Sequence, residues 1–268
     1  MLFLYIFAFV LIIFLFLVFP SLRRHGDREL MNGKFIAHRG FHQKEKGIPE
    51  NSLLAFSHAI AMGFAIETDI HLTLDGEIVA FHDNTLKRMC GKEQNIEEMT
   101  LAEIKECRLL NTDEQIPTLK ELLRLTEGRV PLVIEIKCNN NNYKDVCSKA
   151  DEILKDYKGK YIIQSFFPMA LFWYSKNRPD IFRGLIASVD KDKGFIVKYV
   201  SPFLFNFLTR PDFVSYDVTR KKRFMFFLQK LLGAMPFGWT FENEQQLKTS
   251  RKDFKAYIFE NFNPKEEE

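Results

Sequence analysis

The first 22 positions carry no charged side chain and are dominated by Leu, Ile, Phe and Val. A helix of that length rises ~33 Å, enough to cross the hydrocarbon core of a bilayer. A cleaved leader would start basic and end at small residues, whereas this run ends Val18-Phe19-Pro20-Ser21. The pattern therefore predicts an uncleaved membrane anchor over 1–22, a linker over 23–33 and one domain over 34–268. Beyond the linker, short apolar runs alternate with longer helical stretches. The runs predict strands at 35–37, 65–70, 132–137, 161–166, 183–188, 213–218, 237–241 and 256–259. Helical spacing is read over 52–62, 101–109, 119–126, 143–157, 168–178, 224–232 and 242–250. An extra pairing is expected at 77–81. Strands interleaved with helices argue for an α/β fold. Eight of them in one domain fit a closed (β/α)8 TIM barrel better than an open sheet.

Two stretches, 195–209 and 223–232, are unusually aromatic and basic. They read as amphipathic barrel helices with Phe facing inward, the alternative being a second membrane contact. The acidic residues 266–268 read as a frayed tail. Composition adds little to this picture. Of 268 residues, 46% are hydrophobic and 27% charged, as expected of a packed domain. A net charge of +3 gives no case for nucleic acid, and no protein partner is evident. Cys90, Cys107, Cys138 and Cys147 form no CxxC pair and read as thiols of a reducing compartment. Arg23, Arg24, Arg28 and Lys34 follow the apolar run, so a single-pass membrane protein with its domain in the cytoplasm is expected.

A barrel of this type builds its site where strands end. His38 and Arg39 follow the first strand. Glu67 and Asp69 lie two apart on the second, as do Glu135 and Lys137 on the third. Residues two apart on a strand share a face. Their neighbours Ile66, Ile70, Ile134 and Ile136 would face the helices. Gln164 and Ser165, then Tyr216 and Asp217, then Trp239, end later strands. Three converging carboxylates are an oxygen-ligand set for Mg²⁺ or Ca²⁺. The same spacing also suits a structural ion-pair network with Arg39 and Lys137, and spacing alone leaves both open. His38 and His82, each a core histidine if taken alone, form an acid/base pair if they sit beside a metal. With two cations nearby, the set suits metal-assisted cleavage of a phosphodiester.

Several short motifs occur together: AHRG at 37–40, PENS at 49–52 with AF at 55–56, ETD at 67–69, LDGEIVAFHDNTLKRMCG at 74–91 and IEIK at 134–137. In this order they resemble the glycerophosphodiester phosphodiesterase family. The late GWTFENEQQL resembles that family's tryptophan strand. The resemblance implies a TIM barrel hydrolysing glycerophosphodiesters to an alcohol and glycerol 3-phosphate. It implies His38 and His82 as acid/base groups, and Glu67, Asp69 and Glu135 as ligands of one divalent cation. Arg39 and Lys137 would contact phosphate, Glu50 and Asn51 border the site, Trp239 lie beside the glycerol end, and Asp83 orient His82. The nucleophile, water or the substrate's 2-hydroxyl, stays open.

The sequence departs from the family in its charged loop FHQKEKGI, where His42 reads as loop-borne. The stretch 92–118 is brief, which suggests an open mouth. The ending YIFENFNP leaves any contact from the last strand in doubt. A membrane lysophospholipid, cleaved as by a lysophospholipase D, is the alternative substrate. A phospholipase of another type and a non-catalytic scaffold fit the motifs less well.

Overall fold

The computed structural model describes residues 1–21, 23, 26–187, 203–220 and 224–265. Arg24, residues 188 and 195–202 of the predicted segments, 223 and the tail 266–268 lie outside the described residues. Among the described residues nine strands are present: β1 Phe35–Ala37, β2 Ala65–Leu72, β3 Ile78–Ala80, β4 Leu132–Ile136, β5 Tyr161–Ser165, β6 Arg183–Ala187, β7 Phe213–Asp217, β8 Met235–Phe241 and β9 Ala256–Phe259. All but β3 are parallel, in the order β1-β2-β4-β5-β6-β7-β8-β9, and β9 pairs back onto β1. The ring is thus closed, as the pattern predicts. β3 is the extra pairing expected at 77–81, antiparallel to the upper end of β2.

The helices are α1 Leu2–Val18, α2 Asp27–Met31, α3 Leu53–Ala61, α4 Lys87–Cys90, α5 Leu101–Lys105, α6 Leu119–Thr126, α7 Tyr143–Leu154, α8 Pro168–Asn177, α9 Asn206–Thr209, α10 Phe224–Leu231 and α11 Glu244–Ser250. Side-chain caps explain several starts: Ser52, Thr100, Thr118 and Asn243 each accept a hydrogen bond from the first turn of their helix. The helix expected over 101–109 stops at Lys105, because the chain turns extended at Arg108 and left-handed at Leu110.

Alternation along the strands sorts side chains between two cores. Ile66, Ile70, Ile134 and Ile136 pack outward against the helices, as expected. Ile36, Val133, Ile162, Phe213, Phe237 and Ile258 fill the barrel's lower interior, with Phe213 stacked on Phe237 at 4.2 Å. The parallel strands read as continuous apolar runs because both faces are buried. Above this apolar layer the inward positions become polar: Glu67, Asp69, Glu135, Gln164 and Ser215.

Residues 23–33, expected to be a linker, contain α2, whose Met31 is fully buried in the lower core. Arg28 ties α2 to the residues preceding β7 and β8, donating to the carbonyls of Asp212 and Gly233. α2 is therefore a plug at the amino-terminal end of the barrel. The apolar run expected over 1–22 forms α1, 17 residues long. It stops at Val18 because Phe19, before Pro20, is extended. Among the described residues no helix is long and apolar enough to cross a membrane. Val18 is buried, and its carbonyl accepts from both Asn206 and Gln229 at 2.9 Å. Most of α1 before it is exposed. The aromatic stretches divide: Phe203 and Phe226 are buried, whereas Phe205, Phe224, Phe227 and Leu231 are exposed. All four cysteines are free.

Candidate active site

At the carboxyl-terminal end of the barrel, β2 and β4 deliver three carboxylates to one point. One oxygen each of Glu67, Asp69 and Glu135 lies within 4.8 Å of the others, and all three residues are buried. Register explains the meeting, since Asp69 pairs with Glu135 across the two strands. Lys137, just beyond β4, places its ammonium 3.0 Å from Asp69 Oδ1 and 2.5 Å from Glu135 Oε1. Neither oxygen accepts a well-directed hydrogen bond. Glu67 accepts from the Arg39 amide at 3.0 Å and from Gln164 at 3.4 Å.

Burial pushes the Glu67 carboxyl well up, and repulsion from Asp69 and Glu135 adds to it. Burial likewise pushes Glu135 up to about 7, although Lys137 opposes. Burial acts the same way on Asp69, but Lys137, His82 and Arg39 outweigh it and hold that group low. Crowded, dry carboxylates of this kind favour a cation among them. Their hard oxygens, two of them poorly satisfied, fit Mg²⁺ or Ca²⁺.

The chain must bend sharply to bring the remaining groups in. Arg39 (φ 54°), Gly40 (φ 81°) and Asn51 (φ 50°) are all left-handed. At Gly40 a Cβ would lie 2.9 Å from the Ala55 backbone, so only glycine fits. A non-glycine residue in this conformation costs roughly 1–2 kcal/mol. Hydrogen bonds hold Asn51 in place: its amide donates to Asp69 at 3.1 Å and its carbonyl accepts from Thr68 at 2.8 Å. Arg39 reaches Glu50 at 2.7 Å and Asp69 at 3.5 Å.

Both predicted histidines are backed by carboxylates. His38 Nδ1 lies 2.6 Å from Glu260 Oε2, and its Nε2 lies 4.0 Å from Glu67. His82 Nδ1 lies 2.7 Å from Asp83. Burial lowers the proton affinity of His82, and Lys137 and Arg39 lower it further against Asp69 and Asp83. His71, fully buried on β2, sits 3.4 Å from the His82 carbonyl and steadies that loop.

A cavity of about 140 Å³ opens over this cluster, lined by His38, His82, Glu135, Gln164, Phe166 and Trp239 among others. Trp239 donates to the Ser215 carbonyl at 3.0 Å and meets Phe166 edge-on. The fold thus brings together His38, His82, Arg39, Lys137, Glu50, Asn51, Trp239, Glu67, Asp69, Glu135 and Asp83. Tyr216 does not join them, because its phase on β7 turns it outward onto Phe203.

Sequence reasoning missed Glu260 and Arg88, and read His42 as no more than loop-borne. The ending with Asn261 and Asn263 left the last strand's contribution in doubt, yet Glu260 lies two positions beyond Ile258, in phase with the inward face of β9. His42, read as loop-borne, approaches the same carboxylate at 3.8 Å. Arg88 on α4 bridges Asp83 and Glu50, with hydrogen bonds of 2.7 Å to each. Its only sequence signal is its position just after His82.

Residues 38–193, over half the chain, match the model of the Glycerophosphoryl diester phosphodiesterase family. A lysophospholipase D of Rattus norvegicus is 31% identical over 162 residues, covering 56% of this chain and 49% of that protein. A glycerophosphodiester phosphodiesterase of Caldanaerobacter subterraneus is 35% identical over 161 residues, covering 56% and 65%. The match thus spans about half the length of the rat relative and less than two thirds of the bacterial one. In structure, an Oleispira antarctica phosphodiesterase solved with the product sn-glycerol-3-phosphate superposes with a TM-score of 0.74. It shares 22% identity, over 89% of this chain and 96% of that one.

Proposed function

The chain belongs to the glycerophosphoryl diester phosphodiesterase family, and from that premise we propose that it hydrolyses glycerophosphodiesters to an alcohol and glycerol 3-phosphate. One observation carries the reading. At the carboxyl end of the barrel, two carboxylate-backed imidazoles, Arg39, Glu67 and Glu135 line one cavity, with Asp69 and Lys137 in contact with that set.

Glu67, Asp69 and Glu135 would hold one divalent cation, which when bound neutralises charge on the phosphoryl oxygens. Arg39 and Lys137 contribute further positive charge and orient the phosphate. With Nδ1 of each histidine tied to a carboxylate, Nε2 is the nitrogen left for proton transfer. His82, whose proton affinity is lowered, is suited to accept the proton of the attacking hydroxyl. His38, held by Glu260, then donates to the leaving alkoxide. That hydroxyl belongs to water or to the substrate's own glycerol.

A small cavity beside Trp239 suits a glycerol phosphate head better than a complete lipid. Likeness to the rat enzyme favours the second reading, cleavage of lysophospholipids at the same bond. The exposed apolar α1, 17 residues long and short of a full span, fits an anchor immersed in lipid. Basic residues after it would keep the barrel in the cytoplasm, and a carboxyl-terminal reporter active outside the cell would refute that placement.

The deciding assay is release of glycerol 3-phosphate from glycerophosphocholine by the full chain, with EDTA and then with Mg²⁺ or Ca²⁺ restored. Metal-dependent release supports the proposal. Turnover of lysophosphatidylcholine alone selects the second reading, and no release from either substrate refutes both.

A further inference from the structure

A second cavity, of about 490 Å³, lies where α1 meets the barrel, lined by Phe16, Phe19, Arg23, Ser175, Arg183 and Arg210 among others. Its place in the fold is opposite the catalytic cluster. Arg183 opens β6 and Arg210 stands just before β7, so both mark the amino-terminal end of the barrel. The carboxylates and histidines sit at the other end, a strand length of roughly 17 Å away.

The three guanidiniums are fixed by backbone carbonyls. Arg183, only 3% exposed, donates to Thr209 and Ile181. Arg210 donates to Phe19 at 2.8 Å, and Arg23 to Pro179 at 2.9 Å. Carbonyl bonds position a guanidinium without cancelling its charge. Asp212, whose carboxylate accepts from the Arg183 amide, offers partial compensation. Burial still lowers the proton affinity of Arg183, helped by Arg23, and burial lowers that of Arg210. Arg210 is held at φ 41°, where a side chain is unfavourable and glycine would be easier. The cavity therefore gathers three guanidiniums, buried Arg183, half-buried Arg210 and exposed Arg23, whose shared positive charge would be relieved by an anion.

Its walls say which kind of anion. Phe16 and Phe19 close one side, and α1 leaves them as an exposed apolar helix. Beside that root, Phe205, Phe227 and Leu231 are also exposed, on helices whose Asn206 and Gln229 clasp Val18. A phosphate seated under phenylalanines at the base of an exposed apolar helix has the setting of a lipid headgroup.

We propose that this cavity binds the phosphate of an anionic phospholipid, a site separate from the catalytic one. The proposal rests on the reading of α1 as lipid-immersed. It fixes the orientation of the enzyme: the amino-terminal end of the barrel faces the bilayer and the catalytic mouth opens into water. Soluble glycerophosphodiesters then reach the mouth more readily than lipids of the same bilayer.

The test uses full-length protein in dodecylmaltoside micelles, with dioctanoylphosphatidylglycerol or dioctanoylphosphocholine added and retained lipid counted by native mass spectrometry. Retention of the anionic lipid should exceed that of the zwitterionic one more than tenfold. The double variant Arg23→Gln/Arg210→Gln should lose that preference and hydrolyse glycerophosphocholine at the wild-type rate. Arg183→Lys, which keeps the charge at the buried position, should retain it. Equal retention of both lipids, or an unaltered preference in the double variant, overturns the site. Displacement of the lipid by millimolar inorganic phosphate would identify a soluble anion as occupant and overturn the lipid assignment. Hydrolysis is read on the same preparation, so failure of the catalytic reading leaves the lipid result interpretable.

Discussion

Replacing Glu260 with Gln isolates what the last strand does for His38. The 2.6 Å contact between His38 Nδ1 and Glu260 Oε2 is partly buried, so little water is present to substitute for it. A hydrogen bond to a charged partner is worth ~1.5–3 kcal/mol and a neutral one ~0.5–1.5. The exchange thus removes about 1–2 kcal/mol of imidazolium stabilisation, and each 1.36 kcal/mol is tenfold in rate. The amide can also donate to Nδ1, which moves the ring proton onto Nε2, the nitrogen needed for transfer. We expect kcat on glycerophosphocholine to fall about 5–30-fold, with KM changed little. Glu260→Asp should recover part of the loss. Nitrogen-15 chemical shifts of the ring would show the altered tautomer. A kcat within twofold of wild type, with an unaltered tautomer, would falsify the assigned role.

The same substitution has a stability signature. Burial raises the Glu260 carboxyl, but the hydrogen bond from His38 and the nearby His42 ring outweigh it and hold it below its ordinary value. A depressed carboxylate stabilises the fold above its unfolded pKa of ~4.3, and that contribution is lost as pH falls through the folded value. The stability gap between wild type and Glu260→Gln should therefore narrow from pH 6 towards pH 3. A gap constant over that range would contradict the ion-pair account.

Glu67→Gln should raise Tm in EDTA, by removing one of three repelling carboxylates, while abolishing activity. It should also remove most of the stabilisation the cation gives wild type, ~2.7 kcal/mol at a hundredfold excess over Kd. A Tm in EDTA below wild type would refute this. Met31→Ala empties part of the lower core and should cost ~2–5 kcal/mol by denaturant titration, leaving kcat near wild type. A large loss of kcat in the folded variant would mean that the plug and the catalytic end are coupled. Asp83→Asn removes a partner that favours protonated His82, so the acid limb of the kcat/KM profile should shift to lower pH. A shift to higher pH would show that Asp83 acts otherwise.

The barrel was legible because its strands are buried on both faces and read as apolar runs such as Leu132–Ile136. The ligand set was legible for a related reason: Glu67, Asp69 and Glu135 break such runs at spacings that share a face. Short elements were less readable. α2 spells DRELM, with Leu30 and Met31 after three charged residues, so its plugging role shows only when Met31 joins a core cluster drawn from seven strands. Arg88 and Glu260 depend on long-range pairing, 38 and 222 residues from their partners Glu50 and His38, which local pattern does not encode. The exposed Phe224, Phe227 and Leu231 could not be told from core until the face of α10 was fixed.

Spacing left one choice open, between a metal site and a structural ion-pair network, and the geometry bears on it. A buried network is stable when each charge has its counter-charge. Arg39 is engaged with Glu50 and Asp69, and Lys137 is divided between Asp69 and Glu135. Glu67 is 2% exposed, and its contacts are an amide N–H, Gln164 and a histidine at 4.0 Å. Neither Arg39 nor Lys137 forms a side-chain ion pair with it. Glu67 is thus not a paired member of such a network, and its buried charge carries a cost that an amide would not. Retaining three carboxylates around one point, with Arg39 hydrogen-bonded to Glu50 and Lys137 divided between Asp69 and Glu135, makes sense when a further positive charge enters there. That is why the Glu67→Gln thermal experiment separates the readings: a structural network loses stability on that exchange, and a metal site in EDTA gains it.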